Sequence, residues 1–255
     1  IRGSSGLGKT TFLNSILGFN SSAAVTINER PISDYEKADY LSCIGWIPQT
    51  PALIDGSLRE VFTYVKPDLS DSAIIELLQR AGLSLAELPA GLETHISGLS
   101  EKSGKISGGQ KRRIAIARAL INDPSLIIAD ESVSALDVSV QARVLALLGE
   151  LQQEMGVAFL FISHDMAVVD SIADRVAVMY LGQIVELGTR AQVFGDPRHA
   201  YTQRLIEAVP VPDPNVKRRQ TSRLVSDVPS PVHPIGAAPE RVVLRDVGEG
   251  HLVAM

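Results

Sequence analysis

Only one cysteine, Cys43, occurs among the 255 residues. No internal disulfide can form, which fits a reducing compartment, and Cys43 reads as a small buried hydrophobe. Apolar runs of about 18 residues are missing too, so no stretch reads as a membrane-spanning helix. Work at a membrane would need spanning segments from elsewhere. Nothing in the first residues reads as a secretory leader. Excess positive charge is also lacking. The 24 Lys and Arg against 29 Asp and Glu leave a net charge of −5, which argues against nucleic acid as the main partner. No internal repeat is visible. What is present is ordinary for a chain that buries a core: 45% hydrophobic and 21% charged residues. The length suits one or two domains at roughly 150 residues each.

Strands alternate with helices along the chain. Phe12, Leu13, Ile16 and Leu17 give a helical stripe, and Gly18 is placed to end it. The segments 23–28 (AAVTIN) and 41–48 (LSCIGWIP) read as strands, and 69–83 as a helix ending at Gly82. A helix over 108–123 is stopped by Pro124 and puts Ile114, Ala117, Arg118 and Ile121 on one face. The run 125–130 (SLIIAD) is a short apolar strand of the kind covered on both faces in a parallel sheet. A long helix over 138–156, a second buried strand over 157–165 and two strands around Leu181-Gly182 follow. This alternation predicts an α/β fold with a parallel sheet. Eight of the 14 prolines lie from Pro197 onward, so that tail is expected to be an extended appendage without a large core of its own.

Chemistry concentrates at three places. Gly3, Ser4, Ser5, Gly6, Leu7, Gly8, Lys9 and Thr10 fit G-x-x-x-x-G-K-[ST] and open directly into a helix. Glycines let successive backbone N–H groups face phosphate oxygens, and the helix start adds positive potential. Lys9 would reach the outer phosphates and the Thr10 hydroxyl would sit on Mg²⁺. Far downstream, the strand 126–130 ends in Asp130 and Glu131. Asp130 suits a hold on Mg²⁺, and Glu131 could polarise an attacking water; by themselves they equally suit two solvated acids at a strand end. Third, Ser107, Gly108, Gly109 and Gln110 open a helix and form a second candidate anion site. Of the cations that follow, Lys111, Arg112 and Arg113, Lys111 reads as a solvated basic residue.

Taken in series, these motifs over about residues 1–190 resemble the nucleotide-binding domain of an ABC transporter. The resemblance makes residues 3–10 a Walker A loop, with Thr11 beside it, and Gln49 a Q-loop glutamine. It makes residues 106–110 the signature, with Ile106 in place of the usual Leu. Asp130 is then the Walker B acid, Glu131 the catalytic carboxylate, residues 134–137 the D-loop and His164 the switch histidine. It implies ATP and Mg²⁺ as cofactors, with Thr10, Gln49 and Asp130 toward the metal. Glu131, His164 and Gln49 then serve catalysis, and Ser107 to Gln110 serve the nucleotide of a second subunit. The fold it implies is a P-loop NTPase (a RecA-like parallel sheet) over 1–195, with a helical subdomain inserted at about 51–121. A Pro-rich extension of the oligopeptide-importer type occupies 196–255. The strand that should precede the loop, and the aromatic platform for adenine, are expected upstream of Ile1. Ser132 stands where the family usually has Pro or Ala.

The two halves resemble different branches. Residues 44–61 and 88–110 are similar to exporter-type domains. From about Pro124 on, the chain is similar to ATP-binding subunits of dipeptide, oligopeptide and glutathione importers, down to "HAYTQRLIEAVPVPDP", where Ala200 replaces a usual Pro. The expectation is therefore an ATP-hydrolysing importer subunit, peripheral at the cytoplasmic face of the membrane. It would work with membrane-spanning permease subunits, a second ATPase subunit and an extracytoplasmic substrate-binding protein, and without nucleic acid. The alternatives are the nucleotide-binding domain of an exporter and a soluble ABC ATPase. The last is disfavoured because no sustained heptads fill the stretch between Lys9 and Asp130, which lie 121 positions apart.

Overall fold

The structure, a computed structural model, describes residues 1, 9–20, 25–51, 53–96, 106–133, 137–208 and 241–255. They fall into two compact units: residues 1–20 together with 163–255, and residues 21–162.

The first unit begins with helix α1 (Lys9–Ile16), which buries Leu13. It stops where expected. Gly18 adopts φ +69°. The Phe19 N–H then reaches the Asn14 carbonyl at 2.8 Å and the Gly18 N–H the Ser15 carbonyl at 3.2 Å. This pair of bonds satisfies carbonyls that the helix end would otherwise leave open.

In the second unit a small hairpin, β1 (Thr26–Ile27) and β2 (Arg30–Pro31), precedes helix α2 (Lys37–Ser42) and strand β3 (Ile44–Ile47). The strand expected over 41–48 is thus shorter. Leu41 and Ser42 close α2, and Cys43 caps it with its N–H on the Tyr40 carbonyl. Cys43 is consequently exposed, not buried, because it occupies a helix-to-strand corner. A short pair, β4 (Gly56–Ser57) with β5 (His95–Ile96), brackets helices α3 (Leu58–Thr63) and α4 (Asp71–Arg80). Ser57 and Ser70 cap these helices as acceptors.

Helix α5 (Gly108–Ala119) leads to strand β6 (Leu126–Asp130), then helix α6 (Val138–Met155) and strand β7 (Ala158–Ile162). The strands order β3-β6-β7, all parallel, with Ile47 opposite Ala129 and Asp130 opposite Ile162. As the middle strand, β6 buries Ile127, Ile128 and Ala129, which explains its continuous apolar run. Helix α5 lies close on β3: a Cβ on Gly45 would come within 2.5 Å of the Ala119 carbonyl oxygen, so only glycine fits there.

The first unit resumes with α7 (Met166–Ile172) and an antiparallel pair, β8 (Arg175–Tyr180) and β9 (Gln183–Thr189). Leu181 and Gly182 turn between them with φ of 46° and 79°. Helices α8 (Arg190–Gly195) and α9 (Ala200–Glu207) follow, then strands β10 (Leu244–Asp246) and β11 (Leu252–Ala254). The described part of the tail therefore corrects the expected appendage. Strand β11 pairs with β9 and β10 pairs with β11, extending the sheet to β10-β11-β9-β8. Val169, Val176, Val178, Val185 and Val193 form the core beneath it, with Tyr201 and Leu205 of α9 packed alongside.

Candidate functional site

Parallel pairing brings the carboxyl ends of β3, β6 and β7 to one edge of the sheet, the edge where ligands bind in open α/β folds. Gln49 follows β3, and Asp130 and Glu131 close β6. The Gln49 Nε2 donates to Glu131 Oε2 at 3.0 Å, joining residues 82 positions apart. Glu131 itself sits in the left-handed region at φ +43°, with its N–H on the Ile162 carbonyl at 2.9 Å. A non-glycine residue held there stores strain of the kind that collects at functional sites. Asp130, at the strand tip, is partly accessible.

Arg112 of α5 completes this cluster, and the sequence reading missed it. Its side chain is only 3% exposed. The Nη1 donates to the Pro48 carbonyl at 2.7 Å and the Nη2 to the Gln49 carbonyl at 2.8 Å. Burial lowers its pKa from the ordinary arginine value by desolvation. Helical spacing held the signal: Arg112 precedes the buried Ala115 and Ile116 by three and four positions.

The helix start behaves as its sequence suggests. Ser107 caps α5, accepting the Gln110 N–H at 3.2 Å. Gln110 Oε1 returns the bond to the Ser107 N–H at 2.8 Å, and its Nε2 donates to the Glu87 carbonyl at 3.0 Å. The Gln110 amide is thus engaged within the chain, holding the helix start against the 85–87 turn. Ser107 and Gly108 are exposed, and a Cβ on Gly108 would meet nothing within 4 Å. Packing inside the described chain gives no reason for glycine at 108; an approaching ligand would.

In the other unit, Lys9 is buried at the first turn of α1, and Thr10 and Thr11 are exposed. Residues 2–8, with Gly3, Ser4, Ser5, Gly6, Leu7 and Gly8, lie outside the described residues, as do 134–136 of the expected D-loop. His164 is exposed on a turn fixed from both sides. Ser163 Oγ accepts the Asp165 N–H at 3.0 Å, and Asp165 Oδ1 accepts the Ala167 N–H at 2.9 Å to cap α7. Among the described residues no group of three or more His, Cys, Asp or Glu could by itself hold a metal ion.

Known proteins resemble this chain in family and in fold. The family profile described as ABC transporter matches residues 1–134, and that described as Oligopeptide/dipeptide transporter, C-terminal region, matches residues 185–236. The chain is 56% identical over 150 residues to the glutathione import ATP-binding protein GsiA of Pectobacterium atrosepticum. It is 57% identical over 150 residues to the protein of that name from Salmonella typhimurium. Each match covers 59% of this chain and 24% of the relative, so the matched stretch spans about a quarter of those proteins. Among solved structures, a bacterial Atm1-family ABC exporter with ATP bound aligns with a TM-score of 0.67 and 23% identity. That match covers 79% of this chain and 35% of the exporter, a likeness of fold.

Proposed function

The chain belongs to the ABC transporter family, and from that premise we propose that it is the ATP-hydrolysing subunit of an importer for peptides of the dipeptide, oligopeptide or glutathione class. One observation carries the substrate class. The region matched by the oligopeptide/dipeptide profile, 185–236, lies on the same chain as the stretch shared with the glutathione import proteins. No described helix is long and apolar enough to cross a membrane. The proposed partners are accordingly membrane-spanning permease subunits, with a second ATPase subunit and an extracytoplasmic binding protein. The proposed location is peripheral, at the cytoplasmic face.

The residues fit a bound nucleotide. Lys9 at the start of α1 and the open glycine start of α5 are both suited to phosphate. When bound, ATP with Mg²⁺ supplies the phosphoryl group that passes to water. The chain's own task is to hold charge and place that water. Lys9, Thr10 and Thr11, with residues 3–8, would bind the phosphates. Thr10, Asp130 and Gln49 are the side chains that would hold Mg²⁺. Glu131, whose carboxylate accepts from the Gln49 Nε2, would take the proton of the attacking water. His164, on the turn that Ser163 and Asp165 fix, would contact the outer phosphate. Ser107, which Gln110 holds in place, would face the nucleotide of the second subunit together with Gly108 and Gly109.

The test is direction of transport. Cells carrying the intact system should accumulate labelled glutathione or a labelled dipeptide, and Glu131→Gln should abolish uptake. Higher accumulation in the Glu131→Gln cells would instead establish export, the reading that the exporter-like segments 44–61 and 88–110 favour.

A further inference from the structure

Arg112 is a buried cation placed where an apolar residue would be expected. Lys111 and Arg113, its neighbours, are partly exposed, whereas Arg112 is 3% exposed. Among the described residues no carboxylate pairs with it, and its Nε has no hydrogen-bond partner. A buried charge without a counter-ion is unfavourable, and a well-packed hydrophobe would usually stabilise more. What the guanidinium does have is a fork on two successive carbonyls, those of Pro48 and Gln49. These carbonyls flank the backbone of Gln49 on both sides, so the fork fixes the orientation of that residue. The side chain of Gln49 then meets Glu131 at 3.0 Å. Five residues before Arg112 on the same helix stands the cap, Ser107, beside the open Gly108.

We propose that Arg112 is a positioning residue linking the glycine-opened start of α5 to the water-placing carboxylate: by clamping the Pro48 and Gln49 carbonyls it sets the Gln49 amide on Glu131. Displacement of α5 is thereby passed to Glu131 through one residue, so the state of the helix start governs the hydrolytic centre. The inference rests on the proposed role of Glu131 in hydrolysis.

The experiment is a double-mutant cycle in the full chain. kcat and KM for ATP are measured for Arg112→Gln, Gln49→Ala and the double variant, per folded molecule, with Glu131→Gln as control. Misplacement of a group at the reacting centre predicts a fall in kcat of roughly 10- to 100-fold for Arg112→Gln. KM should change by less than about twofold, since Arg112 is buried against the Pro48 and Gln49 carbonyls and is not itself one of the residues given to the phosphates. The double variant should be no slower than the slower single variant, because both act through one contact. Arg112→Lys, which keeps a cation able to reach one carbonyl at a time, should recover part of kcat. A merely structural clamp would lower Tm while leaving kcat per folded molecule unchanged, or its effect would multiply with that of Gln49→Ala; either result overturns the proposal. Should Arg112→Gln fail to fold, the same cycle run with Arg112→Lys decides by the same criterion. If Glu131→Gln hydrolyses ATP normally, the role given to Glu131 fails. If it is inactive while the cycle is multiplicative, only the role of Arg112 fails.

Discussion

Glu131 and Ser132 are adjacent, yet the fold treats them differently. Glu131 is held in strained backbone with its carboxylate bonded to Gln49, while Ser132 is 1% exposed and its Oγ has no partner among the described residues. Ser132→Ala removes a buried hydroxyl that gains nothing, so it should stabilise by about 1 kcal/mol. The denaturant midpoint should rise accordingly; a fall would show that the hydroxyl has a partner. His199 presents a different case. Its Nδ1 caps α9 by accepting the Tyr201 N–H at 3.2 Å, and its pKa is lowered from 6.5, chiefly by burial and partly offset by Glu186. The unfolded chain therefore binds the proton more readily than the folded one. The stabilising contribution is complete above pH 6.5 and is lost as pH falls through the lowered folded value. Melting curves should show a larger loss of Tm below that pH for the parent than for His199→Asn, whose amide caps without titrating. Equal losses would remove His199 as the source.

Among the elements, the C-terminal strands depend most on a single side chain. Glu186 on β9 is 0% exposed and takes three donors: the Arg198 N–H at 2.8 Å, the His199 N–H at 3.0 Å and His251 Nε2 at 2.8 Å. It thus ties β9 to the start of α9 and to the turn before β11. Glu186→Ala leaves the buried His251 ring and the two part-buried N–H groups unanswered and should cost roughly 1–3 kcal/mol. Hydrogen exchange at 252–254 should accelerate with it; unchanged protection there would mean that the β9–β11 backbone pairing suffices. The sequence could not show this, because strands of three residues carry too little pattern to be seen without their partner. For the same reason β3 looked longer than it is, since Leu41 and Ser42 are as apolar or neutral as strand residues but close a helix. Where a local signal is complete, the reading held. The φ +69° of Gly18 ends α1, and the apolar run before Asp130 is the middle strand of its sheet. The cluster of Gln49, Arg112 and Glu131 was only partly legible. Gln49 and Glu131 were legible through family resemblance, whereas Arg112 was hidden in a basic run that suggests solvent.

For the molecule as a whole, the proposed mechanism rests hydrolysis, and hence transport, on Glu131, with Lys9 serving binding instead. The two roles separate in one comparison of nucleotide affinity and ATP turnover in the full-length protein. Glu131→Gln keeps the shape and the contact with Gln49 but removes the base, while Lys9→Ala removes the counter-charge for the outer phosphates. Glu131→Gln should bind ATP about as tightly as the parent and turn over roughly 10²–10⁴-fold more slowly, while Lys9→Ala should lose binding. Hydrolysis by Glu131→Gln at the parent rate would contradict the proposed mechanism.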